Sequence, residues 1–269
     1  MVAGEARAKI QETLKAPHTV SGSTAMEMCT YLRLEQQRDC KNSQEFNYDF
    51  TFHQTTATQN FMTPAQRHHS QGMSLYGSGD YRRAIEEFSQ TIELDPKYAE
   101  AYYIRGLSYA NLGQYERAIK DYDKAIELDP QYPSTYGSRG LSHANLGQYE
   151  RAIEDYDKAI ELDPQLDLAY ANRGVSYDEL GQYERAIEDY DKAIELEPQF
   201  AQAYACRASS YFLLKQDKRA IEDYDEAIKI DPNDGYAYYW RGQAHSQLGN
   251  SGQSTKDLAK AEELGYEPD

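Results

Sequence analysis

The 269-residue chain is predicted to be all-α: a right-handed solenoid of six helical hairpins behind an N-terminal extension. Three observations predict it. Pro96, Pro130, Pro164, Pro198 and Pro232 stand 34 residues apart. Gly79, Gly113, Gly147 and Gly181 keep the same step, Gly249 rejoins it, and Ala84, Ala118, Ala152, Ala186 and Ala220 keep it too. Phe88, Tyr122, Tyr156, Tyr190 and Tyr224 follow those alanines at helical spacing. A fixed period of this length marks units that cannot cover their own apolar face alone and must stack. Counting back from the prolines sets the units at 65–98, 99–132, 133–166, 167–200, 201–234 and 235–268.

Residues 1–64 stand outside the period. They hold seven acids and six bases, so almost all of the net charge of −17 belongs to the repeats. Residues 42–63 are rich in Asn, Gln and Thr with scattered aromatics, which predicts a flexible, largely disordered extension. The alternative is that Phe46-Asn47-Tyr48-Asp49-Phe50 folds back into the array's own groove. Met1–Lys15 carries Glu5 and Glu12 and no apolar core, so it does not read as a secretory signal.

Unit one opens on His68, His69, Ser70 and Gln71 in place of an aromatic-led pattern, which suits an N-terminal cap. Unit two shows the pattern in full. Tyr102, Gly106 and Tyr109 share one helical face; Gly113 ends that helix, as glycine does just past a C-terminus. Tyr115, Ala118, Ile119, Tyr122, Ala125 and Ile126 form a second face, and Asp129-Pro130 closes the unit, because proline disfavours helix in the residue before it. Units three to five repeat this. Unit six replaces Ala, Ile and Ile of its second helix by Ser254, Thr255 and Glu262, so residues 251–264 are expected to form a polar C-terminal cap.

Gly72, Gly106, Gly140, Gly174 and Gly242 sit in mid-helix, where each costs about 1 kcal/mol against alanine. Close approach of the two helices of a hairpin, with a large neighbour filling the space, is the expected compensation. Ala208 takes this position once.

Composition narrows the function. Apolar runs such as Tyr211-Phe212-Leu213-Leu214 fall far short of the roughly 20 residues that span a bilayer. Strong acidity disfavours nucleic acid and anionic membranes as partners. Three cysteines, Cys29, Cys40 and Cys206, are too few for a disulfide scaffold and fit a reducing, cytoplasmic setting. His18, His53, His68 and His69 show no metal-ligand spacing with Cys29 or Cys40. His143 and His245 occupy a tyrosine column and read as packing residues. With no phosphate loop, nucleophile elbow or supported carboxylate pair, the reading is non-enzymatic, with no cofactor and no metal.

The run Tyr170-Ala171-Asn172-Arg173-Gly174-Val175-Ser176-Tyr177, then Leu180-Gly181-Gln182-Tyr183, Ala186-Ile187, Asp189-Tyr190, Ala193-Ile194 and Pro198, resembles a tetratricopeptide repeat. Tyr stands at that family's Trp position and Arg at its Leu position. The resemblance covers residues 65–268 and speaks for the fold more than for the partner. It implies that the first helices line a concave groove and the second helices form the back.

On that implication the groove residues are Tyr103, Ile104, Leu107 and Asn111 of unit two, Ser138, Leu141 and Asn145 of unit three, and Asn172, Val175 and Asp178 of unit four. Unit five adds Cys206, Ser209 and Phe212, and unit six adds Tyr239, Trp240 and Gln243. Asn111 and Asn145, one repeat apart, suit an extended peptide, since an amide both donates and accepts; equally, they bond within their own turns. Leu107, Leu141 and Val175 serve either ligand contact or helix packing. Trp240 is either an aromatic anchor or cover for the last hairpin. A chaperone-tail clamp of Lys and Asn at positions 5 and 9 is absent: His69, Tyr103, Gly137, Ala171, Ala205 and Tyr239 hold the first, Met73, Leu107, Leu141, Val175, Ser209 and Gln243 the second. The row Arg105, Arg139, Arg173, Arg207 and Arg241 fits phosphate binding less well than stem packing with ion pairs to acids such as Asp121 and Asp155.

The function expected is a protein-interaction scaffold that holds a peptide or partner helix, favouring basic partners, as a monomer or weak homo-oligomer. The alternative is a module that assembles with copies of itself.

Overall fold

The computed structural model describes residues 62–267; the predictions for residues 1–61, including the flexible extension and its fold-back alternative, lie outside the described residues. Twelve α-helices and no strand occur among the described residues. They are α1 (Pro64–Gly77), α2 (Tyr81–Leu94), α3 (Ala99–Asn111), α4 (Tyr115–Leu128), α5 (Pro133–Asn145), α6 (Tyr149–Leu162), α7 (Asp167–Glu179), α8 (Tyr183–Leu196), α9 (Ala201–Leu213), α10 (Asp217–Ile230), α11 (Gly235–Gln247) and α12 (Ser251–Glu263). The chain divides into two compact units at residues 176 and 177, within α7.

In the first unit α1 packs on α2, α3 on α4 and α5 on α6, while α2 meets α3 and α4 meets α5. In the second, α9 packs on α10 and α11 on α12, with α8 against α9 and α10 against α11. Helices that pack on their chain neighbours make an α-solenoid arrangement.

The turns follow from the residues that repeat. Gly113 adopts φ +71°; its N–H bonds the Ala110 carbonyl at 2.9 Å and the Gln114 N–H bonds the Tyr109 carbonyl at 2.9 Å. This paired cap needs a left-handed residue after the helix, which glycine supplies without a Cβ penalty. Lys215 takes the same place in hairpin five with φ 59°, at a cost of about 1 kcal/mol. At the other end of hairpins one to five the acid before proline accepts from the N–H two residues on, as Asp129 does from Gln131 at 3.2 Å and Asp163 from Gln165 at 3.0 Å.

Gly72, Gly106, Gly140 and Gly242 lie against large neighbours, as expected of the mid-helix glycines. A Cβ on Gly106 would stand 2.6 Å from the Tyr122 ring, and one on Gly72 would stand 2.9 Å from Phe88. Phe88, Tyr122, Tyr190 and Tyr224 have no solvent exposure, nor have Ala84, Ala118, Ala186 and Ala220. Helix-to-helix contact through a missing side chain therefore lets a whole aromatic ring be buried, which stabilises by more than the glycine costs.

The arginine row joins hairpin to hairpin. Arg139 donates to Asp155 of its own hairpin through Nε and Nη2, and to Asp123 of the preceding hairpin through Nη1 at 2.6 Å. Arg207 does the same with Asp223 and Asp191, and Arg241 with Asp257 and Asp225. Arg105 pairs with Asp121 and reaches back to Ser89, which stands in the aspartate column. Each guanidinium also lies over the tyrosine three residues before it, 5.2–5.7 Å from the ring centroid. A planar fork with five donors is needed to hold two carboxylates and a ring together.

At the ends the helices turn polar faces outward. On α12, Gly252, Gln253, Thr255, Lys256 and Glu262 are exposed, while Ser254, Asp257 and Ala261 are buried. On α1, Thr63 and Gln66 form a reciprocal capping box, and Gln66, Arg67, Gln71 and Ser74 are exposed. No described helix is long and apolar enough to cross a membrane.

Candidate functional site

The sixteen groove candidates divide by burial. In the first unit Leu107, Asn111, Leu141, Asn145 and Asn172 are half-buried, whereas Tyr103, Ile104, Ser138 and Val175 are buried. Tyr103 packs edge-on against Tyr132 and tilted against Tyr122, and Ile104 belongs to the same core cluster. Those two side chains serve packing and offer a partner no area, which corrects the expectation for them.

The two asparagines make the bonds within their own turns that one alternative expects. Asn111 donates to the Leu107 carbonyl at 2.9 Å and Asn145 to the Leu141 carbonyl at 2.8 Å. Each is thus bonded within its own turn, and the bond holds the side chain in one rotamer. Each also keeps its amide oxygen and a second N–H without a partner among the described residues. Leu107 and Asn111, and Leu141 and Asn145, are paired one helical turn apart on α3 and α5.

In the second unit Tyr239 and Gln243 are half-buried, while Asp178, Cys206, Ser209, Phe212 and Trp240 are buried. Trp240 stands edge-on to Phe212 at 5.5 Å and to Tyr239 at 5.2 Å, and tilted to Tyr236. It is 6% exposed, which fits the alternative of cover for the last hairpin rather than that of an anchor. Ser209 is occupied by the hydroxyls of Tyr224 and Tyr236 at 2.9 and 2.7 Å.

Asp178 stands in a column held by Ala110 and Ala144 in the two hairpins before it. It is fully enclosed: the Tyr190 hydroxyl donates to Oδ2 at 2.7 Å, and the Ser210 hydroxyl lies 2.8 Å from Oδ1. Burial pushes its carboxyl up to about 7, and neighbouring Glu179 adds to this, against the two hydroxyl bonds. Burial likewise holds the Cys206 thiol well above its ordinary value, so Cys206 is an inert packing residue. The sequence reading missed the roles of Tyr190 and Ser210 here; the one available signal was an acid in a column otherwise held by Tyr76, Ala110, Ala144, Phe212 and Ser246.

At the first hairpin, His69 stacks on Tyr98 at 4.7 Å and meets Phe88 edge-on, and burial lowers its pKa to about 4. Among the described residues no group of three or more His, Cys, Asp or Glu side chains is placed to hold a metal ion. The acids of the second helices, such as Glu150, Glu154, Asp157 and Glu161, are exposed.

Comparison with known proteins follows this geometry. Tetratricopeptide repeat families match residues 69–133, 121–154, 168–200 and 235–264, and TPR repeat matches 140–181 and 208–249. No curated protein matches the chain. Among solved structures, MamA is 26% identical, covering 60% of this chain and 94% of its own at a TM-score of 0.57. PilW, a widely conserved type IV pilus biogenesis factor, is 20% identical over 76% of this chain and 94% of its own, with a TM-score of 0.68. YrrB, a TPR protein with an unusual peptide-binding site, is 23% identical over 68% of this chain and 94% of its own, with a TM-score of 0.58. The last two likenesses are ones of fold.

Proposed function

This chain belongs to the tetratricopeptide repeat family, and from that premise we propose that it is a non-catalytic protein-interaction scaffold whose first helices hold a peptide or partner helix. One observation carries the reading: the pairs Leu107–Asn111 and Leu141–Asn145 recur one repeat apart, half-buried, with amide groups left to bond. A leucine gives an apolar seat, and the asparagine, fixed by its bond to its own helix, presents a donor and an acceptor at little ordering cost. Asn172, Tyr239 and Gln243 are the remaining half-buried candidates. We assign residues 65–268 to the array, with 235–268 closing it.

The partner is a basic segment. The repeats carry almost all of a net charge of −17, so association is steered by charge and weakens with salt. End-to-end assembly is the less favoured reading, because the described terminal helices α1 and α12 turn polar side chains outward. A peptide-display selection on the purified chain tests the proposal. The selected peptides, lysine- or arginine-rich, should lose at least about tenfold in affinity against Leu141→Glu and a few-fold against Asn145→Ala, as burying an unpaired charge costs more than losing one neutral hydrogen bond. Unchanged affinity for both variants refutes the assignment.

A further inference from the structure

Hairpins one to five carry an arginine at one place near the start of the second helix: Arg83, Arg117, Arg151, Arg185 and Arg219. Arg83 has Leu75 in the tyrosine column and pairs with Asp80, and Arg219 lies 5.5 Å from the centroid of the Tyr211 ring. The Arg117 guanidinium lies 4.1 Å from the centroid of the Tyr109 ring. Its Nη2 donates to the Tyr109 phenol at 2.7 Å and its Nη1 to Gln114 at 2.7 Å. Arg185 repeats this on Tyr177, at 4.0 Å from the ring, 2.6 Å from the phenol and 2.7 Å from Gln182.

Hairpin three keeps the arginine and the glutamine but not the tyrosine. Arg151 Nη1 donates to Gln148 at 3.1 Å, and His143 stands in the tyrosine column with Nδ1 2.9 Å from the same Gln148 oxygen. Among the described residues Nη2 of Arg151 has no acceptor and no aromatic ring lies under its guanidinium. An open cleft of about 300 Å³ is found there, walled by Ile119 and His143, by Arg151 and Glu154, and by Arg139 with its partners Asp123 and Asp155.

We propose that this cleft binds a tyrosine side chain of a partner protein. Hairpins two and four show what the place accepts, a phenol ring beneath the guanidinium with its oxygen on Nη2, and hairpin five keeps the ring. The volume lies at the small end of ligand pockets and suits one side chain. The charge of Arg139 is already answered by Asp123 and Asp155, so Arg151 is the cation left to the ring. The lining sets Arg139 and Arg151 against the three carboxylates of Asp123, Glu154 and Asp155, and this excess of one negative charge opposes a phosphorylated tyrosine and favours a lysine or arginine beside an unmodified one. The walls include second helices α4 and α6 and, on α5, Arg139 and His143 rather than Leu141 and Asn145, so the site shares no residue with the proposed function and stands or falls separately.

The test uses the full chain and the blocked tripeptide Lys-Tyr-Lys, with Lys-Phe-Lys, Lys-Ala-Lys and the phosphotyrosine form as comparisons, followed by nuclear magnetic resonance titration. The tyrosine peptide should bind in the millimolar range and shift the Arg151 and His143 side-chain signals. The phenylalanine peptide should bind about fivefold more weakly for want of the bond to a charged donor, and the other two should not bind. His143→Tyr, which copies hairpins two and four and so should fold at least as well, should weaken the tyrosine peptide at least about tenfold by filling the cleft. Tyr109→His should open a second cleft under Arg117 and add a second binding event. No binding of the tyrosine peptide to the native chain, or equal binding to His143→Tyr, overturns the proposal.

Discussion

Replacing Gly106 by alanine should destabilise the protein although it improves the helix, and replacing Gly137 by alanine should stabilise it. Both glycines are helical, and intrinsic propensity alone predicts a gain of about 1 kcal/mol at each. The surroundings differ. A Cβ at Gly137 meets nothing within 4 Å, so the gain is kept. A Cβ at Gly106 would stand 2.6 and 2.8 Å from two atoms of the Tyr122 ring, well inside contact distance. That ring is wholly buried and cannot swing into solvent. Overpacking of this kind costs about 1–3 kcal/mol, with the higher end apt for a rigid ring. Subtracting the propensity gain leaves Gly106→Ala up to about 2 kcal/mol less stable than the native chain, and the two variants differ by about 1–3 kcal/mol.

Urea unfolding followed by circular dichroism measures this, with the shift read from the midpoints at constant slope. A double-mutant cycle isolates the cause. Tyr122→Leu alone opens a cavity, but in that background Gly106→Ala should cost much less, since the obstructing ring atoms are gone. If Gly106→Ala stabilises as much as Gly137→Ala, or costs the same with and without the Tyr122 ring, then the mid-helix glycines are not there for close packing.

Two further predictions concern buried charge. Asp178 is held protonated up to about 7, against 3.8 as an ordinary carboxyl, so between these values the folded chain keeps a proton that the unfolded chain releases. Stability from this group is therefore lost as pH rises through that window, and Asp178→Asn should gain on the native protein by roughly 2–3 kcal/mol between pH 5 and pH 8; parallel unfolding midpoints across that range would contradict this. Arg207 is bonded by two donors to Asp223, which is 7% exposed. Arg207→Met should cost about 2–3 kcal/mol by stranding the carboxylate, and the double change with Asp223→Leu should recover most of it, as seen in thermal unfolding.

What could be read from the sequence is what one hairpin decides by itself. Glycine at a left-handed turn, aspartate before proline and an apolar helical face each act within a few residues, and repetition states each of them several times. The glycine–aromatic approach was also legible, because an unfavourable residue kept at one place requires a return. The unread part depends on neighbouring hairpins. Positions such as Ile104 and Phe212 lie on the first-helix face, but how far the next helix leans over them decides whether they are open. Asp178 takes its partners from residues 12 and 32 further along, and no local pattern announces Tyr190 and Ser210 as donors. His143 passed for a packing residue because its consequence is a missing ring.

A repeat protein supplies its own control for each position, and this bears on where function should be sought. A residue that keeps its column is accounted for by stacking, as the paired arginines and the buried tyrosines are. A residue that leaves its column and weakens the fold has no such account. Asp178 buries a carboxyl where hairpins two and three have alanine, Lys215 holds a left-handed backbone where most hairpins have glycine, and His143 gives up a ring stack that Tyr109 and Tyr177 make. Each loses stability that an ordinary repeat residue would restore. Natural sequences that are otherwise locally consistent depart from the rules chiefly where function or strain is located. Restoring His143→Tyr, Asp178→Ala and Lys215→Gly one at a time thus separates the two: each should raise stability, and a partner's affinity should fall only at those positions it uses.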